Sequence, residues 1–159
     1  MASMWLYNSI DLILDGTLDL SADTIKVGLS TATHVLGLDD TFLDDASADD
    51  FSSGEISNAS QSPVSGYVGE FNGAGRKTLA SKTFNVDATT KQARFDAADP
   101  SAWTLGTGAT VAHATLMKEV TNDAATRAII YLDFTGVPTN GGTFTLQFHA
   151  DGIGVADAG

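Results

Sequence analysis

The chain contains no cysteine, which excludes a disulfide framework and a cysteine-type zinc centre and leaves redox compartment unmarked. No apolar run approaches the roughly 20 residues a helix needs to cross a bilayer, so no membrane partner is expected. The N-terminus lacks the basic region and cleavage pattern of a signal peptide, and synthesis in a cytoplasm is expected. Bases are scarce: 8 Lys and Arg stand against 20 Asp and Glu, for a net charge of −12 over 159 residues. Such an excess argues against a nucleic-acid partner, because affinity there comes mainly from neutralising phosphates. The scarcity is also local. Between Lys26 and Arg76 there is no base, while Asp39, Asp40, Asp44, Asp45, Asp49, Asp50, Glu55 and Glu70 fall there.

The motifs of common chemistries are missing as well. In Phe71-Asn72-Gly73-Ala74-Gly75-Arg76-Lys77-Thr78, Arg76 separates the last glycine from the lysine, so the loop N–H groups and that lysine cannot converge on one phosphate as a P-loop requires. No helix pattern follows to face an anion. The stretch reads instead as a glycine-rich loop leading into a strand. The paired acids of Asp39 to Phe51 fit no EF-hand frame, which needs alternate ligands, a central Gly and a terminal Glu; an irregular calcium site stays open beside the simpler reading, a solvated acidic loop pinned by Phe42 and Phe51. His34, His113 and His149 occur in separate segments without ligand spacing, so only the fold could assemble a zinc site from them. There is no Gly-x-Ser-x-Gly elbow, and twenty acids single out no glycosidase pair. His149 reads as a surface residue and Trp103 as a loop or core anchor.

What is present is one helical signal followed by many strand signals. Leu6, Ile10, Ile13 and Leu14 recur at helix spacing and Gly16 sits where a C-cap glycine ends a helix, which predicts a helix over 4–15 with Leu6, Ile10 and Ile13 facing a sheet. Ile25, Val27 and Leu29 alternate on one face of a strand. Phe84 and Val86 face Ala93 and Phe95 across the turn 87–91, a hairpin whose apolar residues share one face. Strands are also predicted over 110–120, 127–135 and 143–150, the last with Phe144, Leu146, Phe148 and Ala150 inward. The expected core is Ile25, Val27, Leu29, Phe84, Val86, Phe95, Leu116, Ile130, Leu132, Phe134, Phe144, Leu146 and Phe148. Such spacing predicts an all-β fold: one antiparallel β-sandwich or jelly-roll-like domain over 1–159, with one short N-terminal helix and an acidic loop insertion at about 35–62.

Three stretches carry a resemblance. Trp5-Leu6-Tyr7-Asn8 with Leu14-Asp15-Gly16-Thr17-Leu18-Asp19-Leu20 and Ile25-Lys26-Val27-Gly28-Leu29, then Arg76-Lys77-Thr78-Leu79 with Ala93-Arg94-Phe95-Asp96, and finally Asn140-Gly141-Gly142-Thr143-Phe144-Thr145-Leu146-Gln147-Phe148-His149 are similar to small virion proteins of tailed bacteriophages. The resemblance spans most of the chain except the acidic excursion. It implies a capsid decoration or cement protein on the outer surface of the phage head, made in the host cytoplasm. The implied partners are the major capsid protein and further copies of the chain, a trimer being favoured over a dimer. That family brings no catalytic residues, cofactor or metal, so no enzymatic activity is expected. Trp5, Tyr7, Phe42 and Phe51 are the candidate partner contacts. The alternative is a tail- or fibre-associated glycan-binding adhesin, for which Trp103 and the Asp pairs are the candidate set.

Overall fold

The computed structural model describes residues 2–32, 34, 42–43, 51–57 and 63–157. Among these the elements are β1 (Ala2–Trp5), α1 (Tyr7–Leu14), β2 (Lys26–Ser30), the one-turn α2 (Phe51–Gly54), β3 (Lys77–Thr78), β4 (Thr83–Asp87), β5 (Gln92–Asp96), β6 (Trp103–Thr104), β7 (Thr110–Lys118), β8 (Arg127–Pro138), β9 (Thr143–Phe144) and β10 (Gly154–Asp157), with a 3₁₀ turn at Asp123–Ala125. They form three sheets, ordered β1-β8-β7-β2-β3, β10-β5-β4 and β6-β9. Every pairing is antiparallel. The expected all-β, sandwich-like class is what the chain adopts.

The large sheet is buried on both faces around β7. Register sets Val27, Leu116, Ile130 and Trp5 in one row and Leu29, Ala114 and Leu132 in the next. This face meets Leu18, Leu20, Tyr67, Phe95, Trp103, Leu146 and Ile153 in the main core. The opposite face carries Met117 and Tyr131, which pack with Leu6, Leu43, Phe51 and Ala128 in a second cluster. In a simple sandwich that face would be wet; here residues 42–43 and 51–57 cross it. Gly28 permits the crossing, since a Cβ there would stand 2.7 Å from the Phe51 ring, closer than packed atoms approach.

Several expectations are corrected. Residues 2–5 extend the large sheet as β1, and Leu6 still continues it by donating its N–H to the Ile129 carbonyl. The helix therefore starts at Tyr7, and its sheet-facing side becomes Ser9, Leu12 and Ile13 rather than Ile10. Leu6 itself is fully buried, but Ile10 and Leu14 point outward. The buried Ser9 hydroxyl donates within 2.7 Å of the Leu6 carbonyl and 2.9 Å of the Ile129 carbonyl, so a polar side chain docks the helix without an unmet group. Gly16 ends the helix with φ +78°, as its C-cap position predicts.

The hairpin forms as expected, and its register sets Phe84 opposite Phe95 and Val86 opposite Ala93. Phe95 is buried, but Phe84 is 49% and Val86 75% exposed, on the strand at the outer edge of its sheet. Residues 143–150 keep their alternation, with Leu146 buried and Phe144 and Phe148 half-buried, but only Thr143–Phe144 is a strand. Beyond it the Phe148 N–H donates to Asp99 Oδ1 (2.7 Å) rather than to a neighbouring strand, and Ala150 is exposed.

Candidate functional site

Two of the four candidate partner contacts, Trp5 and Phe42, lie along β8, and a third, Tyr7, follows at the start of α1. Trp5 pairs with Ile130, Leu6 bonds Ile129, and Phe42 bridges Arg127, with the Arg127 guanidinium 4.1 Å over the Phe42 ring. Trp5 and Phe42 are half-buried, and Tyr7, one residue past Leu6, is 63% exposed. Phe51, expected at the same contact, is fully buried and belongs to the second cluster. Trp103 is a core anchor: its indole N–H donates to the Gly75 carbonyl at 2.6 Å. An exposed aromatic platform for a sugar is thus not built on that residue. The Asp pairs at 39–40, 44–45 and 49–50 lie outside the described residues.

Two buried polar clusters escaped the sequence reading. In the first, the Arg76 guanidinium is fully enclosed and donates from Nε to Glu55 Oε1 (2.9 Å) and from Nη2 to Glu55 Oε2 (2.7 Å). Its Nη1 reaches Asp123 Oδ1 (2.6 Å) and Glu119 Oε1 (3.0 Å). Glu119 also takes Lys26, while Glu55 accepts the Glu70 N–H (2.7 Å) and the Tyr67 hydroxyl (3.0 Å). Burial pushes the Glu55 carboxyl up, against Arg76, Glu70 N–H and Tyr67, which favour its ionised form. Burial likewise lowers the Arg76 pKa, but its bonds to Glu55 and Asp123 outweigh that and hold it above the ordinary value. Glu55 was grouped with the solvated acids of the excursion. It is instead the anion that ties residue 55 to the loop before β3 and to the β7–β8 turn, and its spacing from Arg76 gave no hint of this.

In the second cluster His34, fully buried, stacks edge-on against Phe51, Tyr131 and His113, with ring centroids 5.3, 5.6 and 6.3 Å away. Its Nδ1 lies 3.0 Å from Ser30 Oγ, and its Nε2 has no partner. Burial, then the neighbouring His113, pushes the His34 pKa down to about 3. His113 Nδ1 stands 3.1 Å from Asp133 Oδ1, at an angle short of a full hydrogen bond. Among the described residues no group of three or more potential ligands gathers around a metal position.

The remaining feature is on the surface. Ile10, Leu14, Phe84 and Val86 are exposed, Leu14 by 81%. A groove of ≈ 330 Å³ between the end of α1 and β4 is lined by Ile13, Leu18, Leu20 and Phe84. A second hollow, ≈ 320 Å³, lies over Val86, Ala93 and Ala156. Register sets these two rows, Phe84–Phe95–Gly154 and Val86–Ala93–Ala156, on one face of the small sheet. The face is thus buried at one end and bare at the other.

No known protein family, characterised protein or solved structure matches this chain. Both polar clusters hold segments of the chain to one another, whereas Ile10 and Leu14 on α1 and Phe84 and Val86 on β4 present apolar surface to solvent.

Proposed function

We propose that the chain is a structural virion subunit, a decoration or cement protein that sits on the outer surface of a bacteriophage head, binds the major capsid protein and associates with its own copies. The observation that carries the reading is the exposed apolar strip of Phe84 and Val86 on β4, with Ile10 and Leu14 also exposed on α1 and a groove between the two elements lined by Ile13, Leu18, Leu20 and Phe84 together with Asp19 and Ser21. Single exposed apolar residues are ordinary, but large ones side by side on a strand with adjoining hollows mark an association surface. The body behind it suits a rigid structural subunit, with a sheet buried on both faces and Glu55 fastened by the Arg76 network. The motif resemblance supplies the kind of assembly. Copies of one oligomer spread over several capsid subunits would gain avidity without a strong single contact.

The test is quantitative mass spectrometry of gradient-purified virions, with co-sedimentation of the purified protein on empty capsids. The chain is expected at a fixed ratio to the major capsid protein, and Ile10→Asp, which leaves the fold intact, is expected to sediment less. Absence from purified virions, with no binding to capsids, overturns the reading.

A further inference from the structure

We infer that β4 pairs edge to edge, antiparallel, with β4 of a second copy, centred on Asn85. The inference rests on reading the strip as an assembly surface. Among the described residues, β4 hydrogen-bonds as a strand to β5 alone, so one side of its backbone is free. Free edges are normally blunted by an inward charge, a lysine, a proline or a bulge. The sequence Thr83-Phe84-Asn85-Val86-Asp87 has none of these within its span, its one charge standing at the last position.

A two-fold axis through Asn85 makes this strand complementary to itself. Residue 84 then faces 86 of the mate, 83 faces 87, and 85 faces 85, so all five positions pair. Opposite residues share a face in an antiparallel pair. Phe84 therefore meets Val86 of the second copy on the side where both hollows lie. The incoming Val86 falls beside the groove of Ile13, Leu18 and Leu20, and the incoming Phe84 beside the hollow over Ala93 and Ala156. On the other face Thr83 offers a hydroxyl to Asp87 of the mate, and no acid confronts an acid. A one-residue slip would set Phe84 against Asp87, and a parallel pairing would set Asp87 against Asp87; both are disfavoured.

The charge distribution selects the same partner. A chain of net charge −12 resists meeting its own copy, yet the hairpin 83–96 is balanced, with Lys91 and Arg94 against Asp87 and Asp96. Two copies meeting at this hairpin therefore bring together no excess of like charge, and acids beyond about 8 Å are screened at physiological salt. The pairing would join two three-stranded sheets into one of six strands. It also replaces the threefold association implied by the motif resemblance with a two-fold one, because the surface is complementary to itself and closes after two copies.

The experiment uses the free full-length protein, so pairing is read separately from capsid binding. Sedimentation velocity from about 1 to 100 μM should show a monomer–dimer equilibrium, and Val86→Lys should raise the dissociation constant at least about a hundredfold with an unchanged circular-dichroism spectrum. Because the chain has no cysteine, Asn85→Cys introduces a single thiol at the axis. Mild oxidation should convert it to a covalent dimer, whereas Ser101→Cys, on an exposed loop, should not cross-link. A monomer throughout the range with no cross-link at residue 85 overturns the inference, as does a trimer, or a dimer indifferent to Val86→Lys. Capsid binding that survives while pairing fails would sink this inference and leave the cement reading standing.

Discussion

Acid should destabilise this protein through one histidine, and the size of the effect follows from the environment of His34. Its ring is packed against Phe51, Tyr131 and His113, with no carboxylate among the described residues bonded to it to stabilise a positive charge. Above about pH 6.5 the ring is neutral in both the folded and unfolded chain, and its titration costs nothing. Below that, the unfolded chain takes up a proton that the folded chain, with its pKa near 3, refuses. Stability should therefore fall as the pH drops from about 6.5 toward 3, by about 1.4 kcal/mol for each unit. At pH 5 the loss is about 2 kcal/mol, and the full interval is worth about 5 kcal/mol. Local opening of the segment around His34 caps that figure if it is cheaper than unfolding. His113, whose pKa is also lowered by burial though partly restored by Asp133, adds to the same slope. The assay is urea unfolding at several pH values between 7 and 5, for the wild type and for His34→Phe and His34→Asn. Both variants should lose most of the pH slope while differing from each other in stability at pH 7. A wild type whose stability is flat from pH 7 to 5, or variants that keep its slope, would refute the argument.

Two further outcomes follow from the buried groups. Arg76→Met should cost about 3–5 kcal/mol in urea unfolding, because Glu55 is left buried without its cation; the loss should shrink as pH is lowered and the carboxyl protonates, and adding Glu55→Gln should recover part of it. Leu6→Asp should prevent folding, since it places a charge at a fully buried position, whereas Ile10→Asp, at a side chain that is 40% exposed, should shift thermal unfolding by no more than about 1 kcal/mol.

The buried residues also revise what removing the acidic excursion would do. Excising 37–58 takes away Leu43, Phe51 and Ile56 from the two cores and Glu55 from Arg76. Such a deletion would unfold the chain rather than trim a solvated loop. Composition could not reveal this, because an Asp-rich segment has the same sequence signature whether or not one of its acids reaches inward.

Local periodicity by itself determined a good deal. The alternation of Ile25, Val27 and Leu29, the 84–95 hairpin and the glycine stop at Gly16 are nearest-neighbour properties of the backbone and stand where the spacing placed them, while the strands expected at 110–120 and 127–135 run over 110–118 and 127–138. Which side of an element faces the core was legible only where a single layer lay above it. Phe84 and Val86 have an inward pattern but stand exposed on an edge strand, and Ile10 has the right helical spacing on a helix that starts too late to turn it inward. Glu55, Arg76, His34 and Ser9 look like ordinary surface residues in the sequence. Only the tertiary structure decided that they are buried, because their partners lie 21 residues away for Glu55 and Arg76 and 120 for Ser9 and Ile129. No local rule couples residues so far apart, and their burial is tolerable only when the whole fold brings the matching charge or hydrogen bond to the same point.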